Sequence, residues 1–144
     1  MQHLLNKIHH SDCIQFMDSL PAESISCIVT SPPYNMREFG SMRGIHKKGM
    51  WANFELNNGY DTHADDMPYN EYVAWQRNVL KSAMRILKED GVIFYNHKWR
   101  IHNGLLVNRE DIVKDFPVRQ IIIWHRSGGI NFTEGFFVPT YEVL

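Results

Sequence analysis

A β-branched and apolar run, Ile25-Ser26-Cys27-Ile28-Val29, ends on Thr30-Ser31-Pro32-Pro33-Tyr34-Asn35, and this junction restricts the fold more than any other stretch of the chain. The run has the composition of a buried strand. Two successive prolines cannot donate to a sheet ladder and hold φ near −65°, so the strand has to leave its sheet through a stiff corner. Carbonyls in such a corner are free to accept hydrogen bonds, and Ser31 adds a hydroxyl and Tyr34 a flat ring. A planar group carrying an NH2 fits that set: the Ser31 oxygen and the Pro32 carbonyl accept its two hydrogens while Tyr34 stacks on its face. Open α/β folds place their chemistry at the carboxyl ends of strands, which is where the corner falls.

The element that follows decides how that strand is covered. From Tyr72 the apolar positions Trp75, Val79, Ala83 and Ile86 recur at helical spacing, flanked by Val73, Leu80, Met84 and Leu87. Asn70 is the expected N-cap, Glu71 complements the helix dipole in the first turn, and Lys81, Arg85 and Lys88 lie towards the other end. Glu89-Asp90-Gly91 is expected to stop the helix, and Gly91 to Asn96 reads as a second buried strand. Strand, helix, strand makes a βαβ unit with a right-handed crossover.

The flanks are less regular. Leu4 to Phe16 reads as a short strand with a polar interruption, followed by a helical turn through Met17-Asp18-Ser19-Leu20. Asn108 is the expected cap of a short helix to Phe116, which Pro117 ends; Val118 to Arg126 (VRQIIIWHR) reads as a third buried strand, and Tyr141 to Leu144 as the opening of another. Between the corner and the long helix, residues 36–66 carry Gly40, Gly44, Gly49 and Gly59, the Asn57-Asn58 pair and the basic group Arg37, Arg43, His46, Lys47 and Lys48. A connection of this length without periodicity is usually functional or disordered. Two readings stand: a lid whose Arg37, Arg43, Lys47 and Lys48 meet phosphates while Trp51 and Phe54 stack on bases, or a solvated loop with two aromatics tucked onto the body. Asn96-His97-Lys98-Trp99-Arg100 is a polar, basic cluster at the end of the second strand. It is either part of the functional edge, with His97, Lys98 and Arg100 on phosphates or Asn96 in a pocket, or an exposed loop.

Composition bounds these readings. The chain has 144 residues, 44% of them hydrophobic and 12% aromatic, enough for one domain or part of one. A net charge of −1 means that any contact with nucleic acid has to come from local basic clusters, because such domains are often basic overall. Cys13 and Cys27 have no metal-ligand spacing and make no disulfide framework, and His97 and His102 form no ligand pattern with a neighbouring acid, so no metal site is expected. No apolar run approaches the ~20 residues that span a bilayer, and the N-terminus has no signal-peptide pattern. A cytoplasmic protein is expected.

Ser31-Pro32-Pro33-Tyr34 resembles the (Asp/Asn/Ser)-Pro-Pro-(Tyr/Phe) motif of the amino-directed DNA methyltransferases, and two further passages resemble theirs in the same order. Arg85-Ile86-Leu87-Lys88-Glu89-Asp90-Gly91-Val92-Ile93-Phe94 is similar to their helix-to-strand passage, and Ile122-Ile123-Trp124-His125-Arg126 to a strand that follows it. The resemblance implies an α/β fold: a partial Rossmann-like S-adenosylmethionine-dependent methyltransferase sheet with helices on both faces, truncated at the C-terminus. The truncation is expected because the family's Asp-Pro-Phe-x-Gly-x-Gly-like cofactor loop has no equivalent in these residues.

Also implied are a catalytic set of Ser31, Pro32, Pro33 and Tyr34, and S-adenosylmethionine held near Asp12 and Thr30. Asp12 lies in Ser11-Asp12-Cys13, which is similar to the family's Gly-Asp-Cys-like strand ending; a helix cap or turn is the alternative reading. Double-stranded DNA is the implied substrate, met by Arg37, Arg43, Lys47, Lys48, Lys98 and Arg100, with the target nucleotide flipped out of the duplex. A restriction endonuclease in a bacterial or phage-type system is the implied partner. Serine at the first motif position tilts the target towards cytosine N4 over adenine N6. The competing expectation is a nucleic-acid-binding fragment, or half of a split methyltransferase, without catalysis of its own.

Overall fold

A computed structural model describes residues 2–35, 65–102, 104–126 and 140–144. Its centre is the expected strand-helix-strand unit, but the first strand, expected to be buried, is exposed at Ser26, Cys27 and Val29, because no described element covers that side. Strand β1 (Ile25–Thr30) pairs in parallel with β2 (Leu87–Tyr95), and helix α2 (Tyr69–Ile86) lies between them in the chain. The register is regular where the site is built, with Val29 opposite Phe94 and Thr30 opposite Tyr95.

At the other end the pairing jumps from Ile25–Leu87 to Cys27–Val92, so that Lys88 to Gly91 stand opposite Ser26 alone. The helix-to-strand passage therefore differs from expectation. α2 stops at Ile86, and Leu87 is already extended at φ −75°, ψ 136°. Lys88-Glu89-Asp90-Gly91 forms a bulge inside β2 rather than a stop before it. A side chain at Gly91 would come within 2.7 Å of the Leu87 Cγ and 3.0 Å of the Lys88 carbonyl, so the bulge needs a residue without Cβ.

The N-cap of helix α2 lies two residues before the expected one. Pro68 is its N-cap, and the Pro68 carbonyl accepts from the Tyr72 amide at 3.0 Å; proline suits the edge of a first turn because its missing N–H would have had no partner there. One face, Tyr72, Gln76, Leu80, Ala83 and Ile86, is buried. Tyr72 and Leu80 meet Ile112 in the core, with Met67, Val73, Trp75, Tyr95, Val113 and Phe116 packed around them. Buried Gln76 accepts from the Tyr95 hydroxyl at 2.8 Å through Oε1, while its Nε2 has no described partner.

Upstream, the expected strand is a helix. Asp12 caps α1 (Cys13–Asp18) by accepting from the Gln15 amide at 3.0 Å, and Arg85 of α2 donates to the carbonyls of Met17 in the last turn of α1 and of Leu20 beyond it. After β2 the chain turns into a hairpin, β3 (Arg100–His102) with β4 (Leu105–Val107). Helix α3 (Glu110–Val113) follows; Arg109 is its N-cap at φ 61°, and the expected cap, Asn108, accepts from the Glu110 amide at 3.1 Å.

The third expected buried strand is neither long nor buried. β5 (Ile123–His125) pairs antiparallel with β6 (Tyr141–Val143), and Ile121, Ile123 and Trp124 are each more than half exposed. Its apolar composition suggested burial, but its described sheet partner is β6, and no described element covers its face. An antiparallel bridge between His97 and Val143 ties β6 to the end of β2. That bridge carries β6 to the edge where β1 ends. No described helix is long and apolar enough to cross a membrane.

Candidate active site

The site is built where β1 leaves the sheet. The Thr30 carbonyl accepts from the Asn96 amide at 2.9 Å, the last rung before the two prolines. Beyond it Ser31 is exposed, Pro32 buried and Tyr34 half-buried. No described residue donates to the Pro32 carbonyl, whereas the Pro33 carbonyl accepts from the Tyr72 hydroxyl at 2.7 Å. The corner thus has one carbonyl held from inside and one without a described donor.

The inner hold fixes the state of His97. Tyr72 has one hydroxyl proton, and the Pro33 carbonyl can only accept it. His97 Nε2, 2.7 Å from the same hydroxyl oxygen, is therefore the donor of that contact. His97 is buried, and burial together with the Arg109 and Arg100 guanidiniums lowers its pKa from 6.5 to about 3. The ring is neutral at physiological pH and has one proton; Nδ1, 3.2 Å from the Lys98 carbonyl, also faces an acceptor, and the proton is assigned to Nε2, where the contact is the shorter. Burial likewise pushes the Tyr72 and Tyr95 hydroxyls well above the usual phenol range, which keeps Tyr72 a donor.

Arg109 and Asn35 brace the other side. Arg109 is buried, donates from a guanidinium nitrogen to the Tyr34 carbonyl at 3.2 Å, and lies 5.0 Å from the centre of the Tyr72 ring and 5.3 Å from that of Tyr69. Asn35, buried at φ 55°, exchanges two side-chain hydrogen bonds with the Met67 backbone, at 2.7 and 2.8 Å, and its amide donates to Asp65 at 2.8 Å. Residues 35 and 65–67 are therefore clamped together, and the chain leaves and re-enters at the same corner.

A carboxylate closes the site. Glu142 on β6 is buried and accepts from Arg126 at 2.8 Å, from the Asn96 side-chain amide at 3.0 Å and from the Tyr34 hydroxyl at 3.5 Å. The Tyr34 hydroxyl is 2.6 Å from that of Ser31, and its ring is 5.1 Å from the His97 ring. Asn96 turns its amide nitrogen to the carboxylate and leaves its Oδ1 buried with no described partner.

Of the residues singled out from sequence, Thr30, Ser31, Pro32, Pro33 and Tyr34 lie together here. The basic cluster after β2 is split. Lys98 is half-buried, and burial with Arg100 and Arg126 lowers its pKa. His97 and Arg100 are buried rather than presented to solvent as a phosphate contact requires, because the chain folds straight from β2 into the β3–β4 hairpin. Asp12 is exposed at the start of α1, with Oδ1 engaged in the cap and Oδ2 open to a donor among the described residues. Arg37, Arg43, Lys47 and Lys48 lie outside the described residues. Tyr72, Arg109, Asn35 and Glu142 escaped the reading of the sequence because their roles come from contacts far apart in the chain.

The profile of a family described as DNA methylase matches residues 25–144. The chain belongs to that family. The match takes in the corner, α2, β2 and the strands that bring Glu142, and the family is the amino-directed one that Ser31-Pro32-Pro33-Tyr34 resembles. Among curated relatives of this methylase chain, Type II methyltransferase M.MjaVI of Methanocaldococcus jannaschii is 36% identical over 114 residues, covering 75% of this chain and 48% of the relative. Type II methyltransferase M.BglII of Bacillus subtilis is 28% identical over 94% of this chain and 33% of its own length. M.HinfI of Haemophilus influenzae, also a Type II methyltransferase, is 28% identical over 97% of this chain and 37% of its own length. The chain thus spans a third to a half of the length of these relatives.

Proposed function

We propose that the chain carries the methyl-accepting side of a DNA methyltransferase that modifies the exocyclic amino group of a flipped base, cytosine N4 in preference to adenine N6. One observation carries this reading: at the end of β1 an exposed Ser31 hydroxyl and the unengaged Pro32 carbonyl stand beside the half-buried Tyr34 ring. An amino group on an aromatic ring is a poor nucleophile because its lone pair is delocalised. Acceptors on its two hydrogens favour a tetrahedral nitrogen and free that pair for attack, so that orientation and fixed acceptors supply the rate. Tyr34 stacks on the extruded base, and the buried Tyr72–Pro33 hydrogen bond keeps the corner from relaxing.

S-adenosylmethionine supplies an electrophilic methyl group when bound. Its ribose hydroxyls and adenine amine are donors, and the open Asp12 Oδ2 is an acceptor of the right kind; Thr30, at the base of the corner, is the second residue assigned to it. The sheet is then part of a Rossmann-like methyltransferase core. DNA phosphates are met by Arg37, Arg43, Lys47, Lys48 and Lys98, with Arg100 adding charge from beneath. The protein works in the cytoplasm, on double-stranded DNA that a restriction endonuclease of the same system would otherwise cut.

Incubating the chain, alone and within any longer reading frame that contains it, with labelled S-adenosylmethionine and duplex DNA tests the reading. Nucleoside analysis should return N4-methylcytosine. N6-methyladenine would overturn the base preference, and DNA binding without methylated nucleoside in either form would favour a binding module. That second reading draws on the share of its relatives' length that the chain spans.

A further inference from the structure

We propose that Glu142 sets the direction of the Ser31–Tyr34 hydroxyl pair and is the final acceptor of the proton that the methylated amine releases. The inference rests on the methyltransferase reading and deepens it. Carboxylate oxygens accept hydrogen bonds, and Glu142 accepts them from Arg126 at 2.8 Å and from the Asn96 side-chain amide at 3.0 Å. The charged or titratable groups facing it are Arg126 on one oxygen, Tyr34 on the other, and Lys98 nearby.

Tyr34 points its hydroxyl proton at Glu142, 3.5 Å away. Its oxygen then has only lone pairs to offer Ser31, 2.6 Å away, so Ser31 donates to Tyr34. That leaves the lone pairs of Ser31 facing outward, as needed to accept from a target NH2. Without the carboxylate the same two hydroxyls can reverse, and Ser31 would then aim its proton at the amine.

The same chain removes a proton. When the amine nitrogen bonds to the methyl carbon, the carbon–sulfur bond breaks with its electron pair on sulfur, and the nitrogen becomes positive with one proton too many. Ser31 takes that proton as its own passes to Tyr34, and the Tyr34 proton passes to Glu142, which ends neutral and is reset by water. A positive nitrogen on an electron-poor ring is a strong acid, so an ion-paired carboxylate is a sufficient base. The link of 3.5 Å from Tyr34 to Glu142 is the long one. Such contacts tighten when substrate is bound.

The test compares Glu142→Gln and Glu142→Asp with the unaltered protein in single-turnover methylation, together with duplex affinity and the fluorescence of 2-aminopurine at the target as a readout of flipping. Glu142→Gln should slow methylation by about 100-fold, the lower end of what a lost acid–base group costs. Its flipping and DNA affinity should stay within about two-fold, and the fall in rate per folded molecule expected at acid pH for the unaltered protein should vanish. Glu142→Asp, a carboxylate on a shorter arm, should recover part of the rate and the acid limb. The inference is overturned if Glu142→Gln keeps the rate and acid limb, or if its loss lies wholly in affinity and flipping, as a purely structural role requires. Failure of the unaltered protein to transfer a methyl group removes the parent reading and this inference with it.

Discussion

Acid should loosen this protein through one buried imidazole. His97 has a folded pKa of about 3 against an ordinary 6.5, because it is buried beside the Arg109 and Arg100 guanidiniums. A pKa lowered by folding means that the unfolded chain binds the proton first as pH falls. Stability from this group is complete above about pH 6.5, declines between the two values and is fully lost below the folded one. With these pKa values the loss between pH 7.5 and 4 is about 3 kcal/mol, a large share of a typical domain stability of about 5–15 kcal/mol. Urea unfolding at half-unit intervals of pH, for the unaltered protein and for His97→Gln, isolates the term from other titrating groups. The variant starts less stable, and the gap between the two should narrow by about 3 kcal/mol towards pH 4. Parallel curves would mean that His97 is not buried neutral against Tyr72, and the account of the inner hold would fail.

Tyr72→Phe removes one oxygen and strands two partners, the Pro33 carbonyl and His97 Nε2. It should cost about 1–3 kcal/mol in urea unfolding; an unchanged midpoint would show that the hydroxyl holds nothing. Replacing Lys47 and Lys48 together by alanine should flatten the dependence of log DNA affinity on log salt by roughly 0.9 for each lost phosphate contact. An identical slope would place the segment away from the DNA backbone.

The chain wrote its centre plainly and its edges poorly. The existence of β1, the body of α2 and the order strand, helix, strand follow from local pattern, since Ile25 to Val29 is a short β-branched run and Trp75, Val79, Ala83 and Ile86 keep helical spacing; the ends of α2 and the exposure of β1 do not. The Ser31–Tyr34 corner was legible because prolines act through their own geometry. The start of β2 was not: Gly91 looks like a helix stop, yet it is the residue that lets the Leu87–Gly91 bulge close. β5 looked buried because its composition is apolar, but exposure depends on what packs against it. Asp12 serves a helix where a strand was expected, since a capping aspartate and a strand-end aspartate look alike in sequence. Tyr72, His97, Arg109 and Glu142 act on the corner from 39 to 108 positions away, and no local pattern announces such a contact.

The most direct test of the central claim is the single-turnover methylation rate of Ser31→Ala. An acceptor on the amino group that acts only as charge develops should be worth roughly 100-fold or more in rate, with duplex affinity and base flipping nearly unchanged. A variant that methylates as fast as the unaltered protein would show that the Ser31 hydroxyl does not meet the amine.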